Sequence, residues 1–244
     1  MESPSTHIQD NHRFENSPYS DSDEMTLFEA KGVSFGYEPN SIILKNISLT
    51  LNTGDFLFIT GKTGSGKTSL LNFIDSDKNF RYIQGHRSRL HSQDDLLFSS
   101  RVYQDLKVFK DMSVADNLEL AFDQQIYDNY QSFFDTLKDY LEIFGLKEQL
   151  RTKLASSNGA TSQKVAIIRS ILSKPRLILA DEPTSSFDQQ TTHKVYDLFN
   201  LLNQKTQMSV VWVTHDKDLV QKFRGRIYQI ENQRMLNVRR HCFT

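Results

Sequence analysis

The chain has 244 residues, with 29 Lys and Arg against 30 Asp and Glu, a formal net charge of −1 and one cysteine, Cys242. That length suits one domain carrying a subdomain and speaks against two independent domains, and the charge balance lacks the basic footprint of a nucleic-acid binder, so no nucleic-acid partner is expected. A lone cysteine excludes an internal disulfide framework and fits a reducing, cytoplasmic address; with no apolar run of about eighteen residues and no signal-peptide pattern at the start, any membrane association is expected to come through a partner.

Residues 1–25 hold six acidic residues against one Arg and are rich in Ser, Asp and Asn, a composition that reads as a disordered tail. Residues 26–240 read as one folded domain. Leu27 to Tyr37 and Ile42 to Leu51 are strand-like, with Ile47, Leu49 and Leu51 alternating, and after a turn at Asn52-Thr53-Gly54-Asp55 comes the apolar run Phe56 to Ile59. The pattern predicts an antiparallel β-layer feeding a buried strand.

Gly61-Lys62-Thr63-Gly64-Ser65-Gly66-Lys67-Thr68 follows that strand and matches the P-loop pattern, with a helix predicted to begin near Lys67. The glycines let backbone N–H groups turn toward phosphate oxygens at the positive end of a helix dipole. Lys67 is expected on the β- and γ-phosphates, and the Thr68 hydroxyl on Mg²⁺.

Residues 111–150 change character. Phe133, Leu137, Tyr140, Leu141 and Phe144 recur at helical spacing, which predicts a mainly helical insert, with the whole helical subdomain over about 111–165. The runs Leu177-Ile178-Leu179-Ala180 and Val210-Val211-Trp212-Val213 are uninterrupted apolar segments, as central strands of a parallel sheet covered on both faces require. Pro175 is expected to end the helix before the first of them. The fold class is therefore α/β: a mostly parallel core sheet, an antiparallel β-subdomain and a helical subdomain.

The first run ends in Asp181-Glu182. Two carboxylates at the carboxyl end of a strand beside a P-loop suit phosphoryl transfer, Asp181 holding Mg²⁺ and Glu182 acting on the attacking water. Asp181-Glu182-Pro183-Thr184, followed by Ser185-Ser186-Phe187-Asp188, resembles the Walker B and D-loop run of ATP-binding cassette (ABC) ATPases, and the second run ends in Thr214-His215-Asp216, similar to the switch histidine of that family. The resemblance implies an ATPase using ATP and Mg²⁺. It implies that His215 helps hold Glu182 and contacts the γ-phosphate, that Gln104 in Arg101-Val102-Tyr103-Gln104-Asp105 is the Q-loop glutamine touching Mg²⁺, and that Tyr37 stacks on adenine.

The family's Leu-Ser-Gly-Gly-Glu signature falls on Ser157-Asn158-Gly159-Ala160-Thr161, where only Gly159 matches. In the family this tip closes over the γ-phosphate of a second subunit, with the D-loop (here Asp188) beside it. Asn158 is a substitute donor, and Ala160 adds a Cβ where close backbone approach favours glycine. Binding of ATP with slow turnover is expected, or in the extreme a nucleotide-gated scaffold.

The stretch Val102-Tyr103-Gln104-Asp105 to Phe109-Lys110-Asp111-Met112-Ser113-Val114-Ala115-Asp116-Asn117-Leu118 is most similar to the FtsE family of cell-division ATPases, with lipoprotein-releasing (LolD) and macrolide-exporting (MacB) ATPases sharing much of it. That resemblance implies a homodimer working with a polytopic FtsX-like membrane protein at the inner face of the cell membrane. The aromatics Phe122, Tyr127, Tyr130, Phe133 and Phe134 are candidates both for the subdomain core and for a groove facing that partner.

Overall fold

A computed structural model describes residues 25–75, 79–89 and 99–238. The acidic tail up to residue 24 and Cys242 lie outside them. Two sheets form the frame. Strands β1 (Thr26–Glu38), β2 (Ser41–Asn52) and β4 (Tyr82–Arg89) make an antiparallel layer in the order β2-β1-β4. Strands β3 (Phe56–Gly61), β5 (Ser99–Val102), β6 (Leu177–Asp181), β7 (Ser209–Val213), β8 (Arg226–Glu231) and β9 (Arg234–Asn237) make the second, in the order β5-β6-β7-β3-β8-β9, parallel except for β9.

The continuous apolar runs have a simple cause. Along β3, β6 and β7 alternate side chains enter two different cores: Phe56, Phe58, Ile178, Ala180, Val210 and Trp212 pack toward the helical side. Leu57, Ile59, Leu177, Leu179, Val211 and Val213 pack toward the antiparallel layer and α1 (Lys67–Ile74). A strand buried on both faces has no place for polar alternation. The antiparallel layer is tied to the far edge of the main sheet by Lys45 N donating to Gln233 O (2.7 Å) and Gln233 Nε2 donating to Ile42 O (2.8 Å).

The insert is helical as its periodicity predicts. α2 (Val114–Glu119) starts with a capping box between Ser113 and Asp116, and α3 (Tyr130–Phe144) starts at Asn129, whose side chain accepts from Ser132 N, and stops at Gly145 in the left-handed region. The buried face of α3 is Phe133, Leu137, Tyr140, Leu141 and Phe144. Single 3-10 turns at Lys147–Gln149 and Leu154–Ser156 lead to α4 (Gly159–Leu172). Two longer-range helices follow, α5 (Gln189–Thr206) and α6 (Lys217–Lys222).

The aromatics of the insert divide by position. Tyr127 and Phe133 are core, Tyr127 donating its hydroxyl to Leu172 O at 2.7 Å, so neither offers a surface to a partner. Phe122 is half-buried and packs edge-on against Phe133 and Tyr130, while Tyr130 and Phe134 are exposed. Among the described residues no helix is long and apolar enough to cross a membrane.

Phe133 is fully buried at the centre of the subdomain. Phe133→Ala is expected to cost about 3–5 kcal/mol, read as a lowered midpoint in chemical denaturation, whereas Asn129→Ala costs about 1 kcal/mol through the lost cap.

Candidate active site

The candidate site residues come off the carboxyl ends of parallel neighbours. β3 runs into the glycine-rich loop, β6 ends at Asp181, β7 leads to Thr214 and His215, and β5 leads to Tyr103 and Gln104. Two hydrogen bonds beyond the strands keep these ends level: Thr214 N donates to Ile59 O and Glu182 N to Val213 O, each 3.0 Å.

In the loop, Gly61 and Gly66 adopt φ of 155° and 102°. A Cβ on Gly61 would lie 2.6 Å from Ser65 Oγ and 2.7 Å from Ile230 O, and one on Gly66 2.8 Å from Ile43 Cγ2, so both positions require glycine. Gly66 is the N-cap of α1 and supplies no side-chain acceptor, whereas α2, α3, α4, α5 and α6 each have a capping side chain. The first amides of α1 are thus left as donors beside a positive dipole end, which is an anion cradle. Lys67 folds into the loop, its ammonium donating to Gly61 O (2.9 Å) and Lys62 O (3.1 Å), and Ser65 Oγ is buried without a partner. Thr68, the second residue of α1, is exposed.

Glu182 follows β6 at φ 50°, a left-handed conformation rare for a non-glycine residue. Its carboxylate lies 2.7 Å from His215 Nδ1, joining the ends of β6 and β7 through side chains; Glu182 is 12% exposed and His215 66%. An ionised carboxylate only accepts, so Nδ1 carries the proton. Asp181 is buried beside them.

A cavity of about 750 Å³ opens next to these residues, lined by Thr68, Asn72, Asp75, Arg101, Tyr103, Gln104, Asp105, Lys107 and Asp181. The structure therefore brings Thr68, Gln104 and Asp181 to one space. Their donor set is hydroxyl, amide and one carboxylate, all oxygen, and among the described residues no group of three or more His, Cys, Asp or Glu is arranged to hold a metal ion. Mg²⁺ is held in this way, by one or two protein oxygens with substrate phosphates and water completing the shell, so the residues fit it. Arg101, unremarked in the sequence beyond its nearness to Gln104, is the intruder in this space.

Tyr37, at the end of β1, is half-buried. It stacks on Phe80 with centroids 4.7 Å apart and accepts a hydrogen bond from Asn72 Nδ2 at 3.0 Å. One ring face is thus occupied by protein.

The drifted signature tip does head a helix. Asn158 caps α4, its Oδ1 accepting from Thr161 N at 2.8 Å. A Cβ on Gly159 would meet only Ser186 Oγ, at 3.7 Å, so packing within the chain leaves room there; Asn158 and Gly159 are exposed and Ala160 half-buried. Asp188 caps α5 and is exposed, and hydrogen bonds from the Thr191 amide and hydroxyl hold its carboxyl below the usual carboxylate range. Gln163, noted in the sequence only as part of the signature helix, is almost fully buried. Its amide donates to Glu182 O (3.0 Å) and Ser185 Oγ (3.3 Å) and accepts from Ser186 N (2.9 Å).

The family model described as ABC transporter matches residues 44–185, more than half of the chain. The chain belongs to this family. Its ABC ATPase domain hydrolyses ATP with Mg²⁺ as cofactor. The lipoprotein-releasing system ATP-binding protein LolD of Rickettsia typhi is 31% identical over 226 residues, spanning 87% of this chain and 98% of that protein. The cell division ATP-binding protein FtsE of Streptococcus pneumoniae is 26% identical over 220 residues, spanning 87% and 95%. Among solved structures, an ATP-binding cassette seen as a dimer in a post-hydrolysis state with ADP and Pi superposes with a TM-score of 0.71 at 24% identity, covering 87% of this ABC ATPase and 99% of that chain. An ATP-binding subunit of an ABC transporter gives 0.74 at 20% identity, covering 87% and 90%.

Gln163→Ala removes three hydrogen bonds between α4 and the turn after β6. It is expected to destabilise the protein by about 1–3 kcal/mol, with hydrogen exchange at the amides of residues 182–186 accelerating more than in α3.

Proposed function

We propose that this ABC ATPase is the motor subunit of a membrane complex of the lipoprotein-releasing type, working as a homodimer beneath a polytopic membrane protein at the inner face of the cell membrane. The 2.7 Å contact between Glu182 and His215 is the observation that carries the hydrolytic part of this reading. The 31% identity to LolD over nearly its whole length supports the type of complex.

In this reading Gly61, Lys62, Thr63, Gly64, Ser65 and Gly66 wrap the phosphates with their amides, Lys67 exchanges its two carbonyl partners for β- and γ-phosphate oxygens, and the ring face of Tyr37 away from Phe80 flanks the adenine. Thr68, Asp181 and Gln104 hold Mg²⁺, which supplies charge neutralisation on the phosphates. Glu182 orients the attacking water and takes its proton. His215 fixes that carboxylate through Nδ1–H, and its Nε2 donates to the γ-phosphate only as imidazolium, because neutral imidazole has a single N–H.

Asn158, Gly159, Ala160 and Asp188 face the second subunit's nucleotide. Asn158 caps its own helix through Oδ1 and keeps Nδ2 as the donor toward a phosphate, while the Ala160 methyl keeps the backbones apart. Slow turnover follows from that separation. The cell-division type, with an FtsX-like partner, is the second reading, supported by the 26% identity to FtsE.

Glu182→Gln is expected to lower turnover about 10²–10⁴-fold while ATP affinity stays within a few-fold, and to accumulate an ATP-bound dimer visible in gel filtration with light scattering. Lys67→Ala abolishes nucleotide uptake in calorimetry. Copurification from membranes then identifies the complex: a lipoprotein-releasing membrane subunit supports the first type and an FtsX-like protein the second. Absence of any membrane protein overturns both.

A further inference from the structure

Arg101 sits on β5 opposite Leu179 of β6, in parallel register, two residues before the strand ends at Asp181. Its side chain is only 8% exposed, and Nη2 lies 3.9 Å from Asp181 Oδ2, ion-pair distance but too long for a hydrogen bond. Nε is buried with no hydrogen-bond partner. The guanidinium carbon stands 4.8 Å from the Tyr103 ring centroid. Of the other acids lining the cavity, Asp75 accepts from Ser99 Oγ at 2.8 Å and Asp105 pairs with Lys107 at 2.9 Å.

A guanidinium is permanently charged and carries five N–H donors. Burying it with donors unfilled is costly unless something else completes its partners. Here the unfilled cation shares a cavity with Thr68, Gln104 and Asp181, the three residues read above as the Mg²⁺ holders.

We propose that Arg101 is a resident cation of the metal site, competing with the divalent ion for Asp181 and lending its own charge to the bound polyphosphate. The proposal rests on the reading of Thr68 and Asp181 as metal holders. A second positive charge near Asp181 repels a divalent ion and attracts phosphate oxygens, so magnesium binds more weakly and nucleotide binding depends on it less. One unit charge at such a distance is worth about tenfold or more in an equilibrium.

The experiment is ATP binding to the full chain by calorimetry, in EDTA and across a magnesium titration. The folded wild-type protein is expected to bind ATP in EDTA within about tenfold of its affinity in saturating Mg²⁺. Arg101→Met is expected to weaken binding in EDTA about tenfold and to lower the half-saturating magnesium concentration by a similar factor, and Arg101→Lys to restore binding in EDTA. A mere packing role would move both conditions together and would leave Arg101→Lys as impaired as Arg101→Met. Wild-type protein that binds ATP with Mg²⁺ but not in EDTA overturns the proposal even if the variants fail to fold. Identical magnesium dependence in wild type and folded Arg101→Met overturns it too. Wild-type protein that takes up ATP under neither condition removes the nucleotide-site reading itself, and this proposal with it.

Discussion

The arrangement depends on parallel hydrogen bonding that keeps the carboxyl ends of β3, β5, β6 and β7 flush. Each strand contributes a different chemical group where it stops: backbone amides and an ammonium from the loop after β3, a carboxylate pair from β6, an imidazole from β7 and an amide from the segment after β5. None of these groups is close to the others in sequence. The sheet register alone makes them neighbours, and the two-sided burial of β3, β6 and β7 fixes that register, since a slip of one residue would exchange the inhabitants of two separate cores.

Much of this frame is legible in the amino-acid order because burial on two faces leaves an unmistakable trace. Leu177 to Ala180 and Val210 to Val213 have no polar interruption, and the α3 face repeats every three or four residues, so these elements stand where the pattern puts them. β4 and β5 leave no such trace. The described side chains of β4 are mostly exposed, and β5 is a four-residue segment, Ser-Ser-Arg-Val, with a single apolar residue. Both owe their extended form to a longer partner strand rather than to their own composition.

The site divides in the same way. The glycine-rich loop and the Asp181-Glu182 pair are local strings, whereas the closeness of Arg101 to Asp181 is a product of strand order, and the role of Gln163 depends on a turn 19 to 23 residues away. The signature tip is a further case. Its letters diverge from the family pattern, yet Asn158 does for α4 what a serine N-cap does, accepting the N3 amide. Structure at the tip is thus preserved while its outward chemistry changes.

Gln163 has one more implication. A single primary amide grips both the carbonyl of the left-handed Glu182 and the amide of Ser186 a few residues later. The helix whose head bears Asn158 and Gly159 is therefore tied by three hydrogen bonds to the turn that carries Glu182. A rotation that separates the two surfaces must first break those three hydrogen bonds.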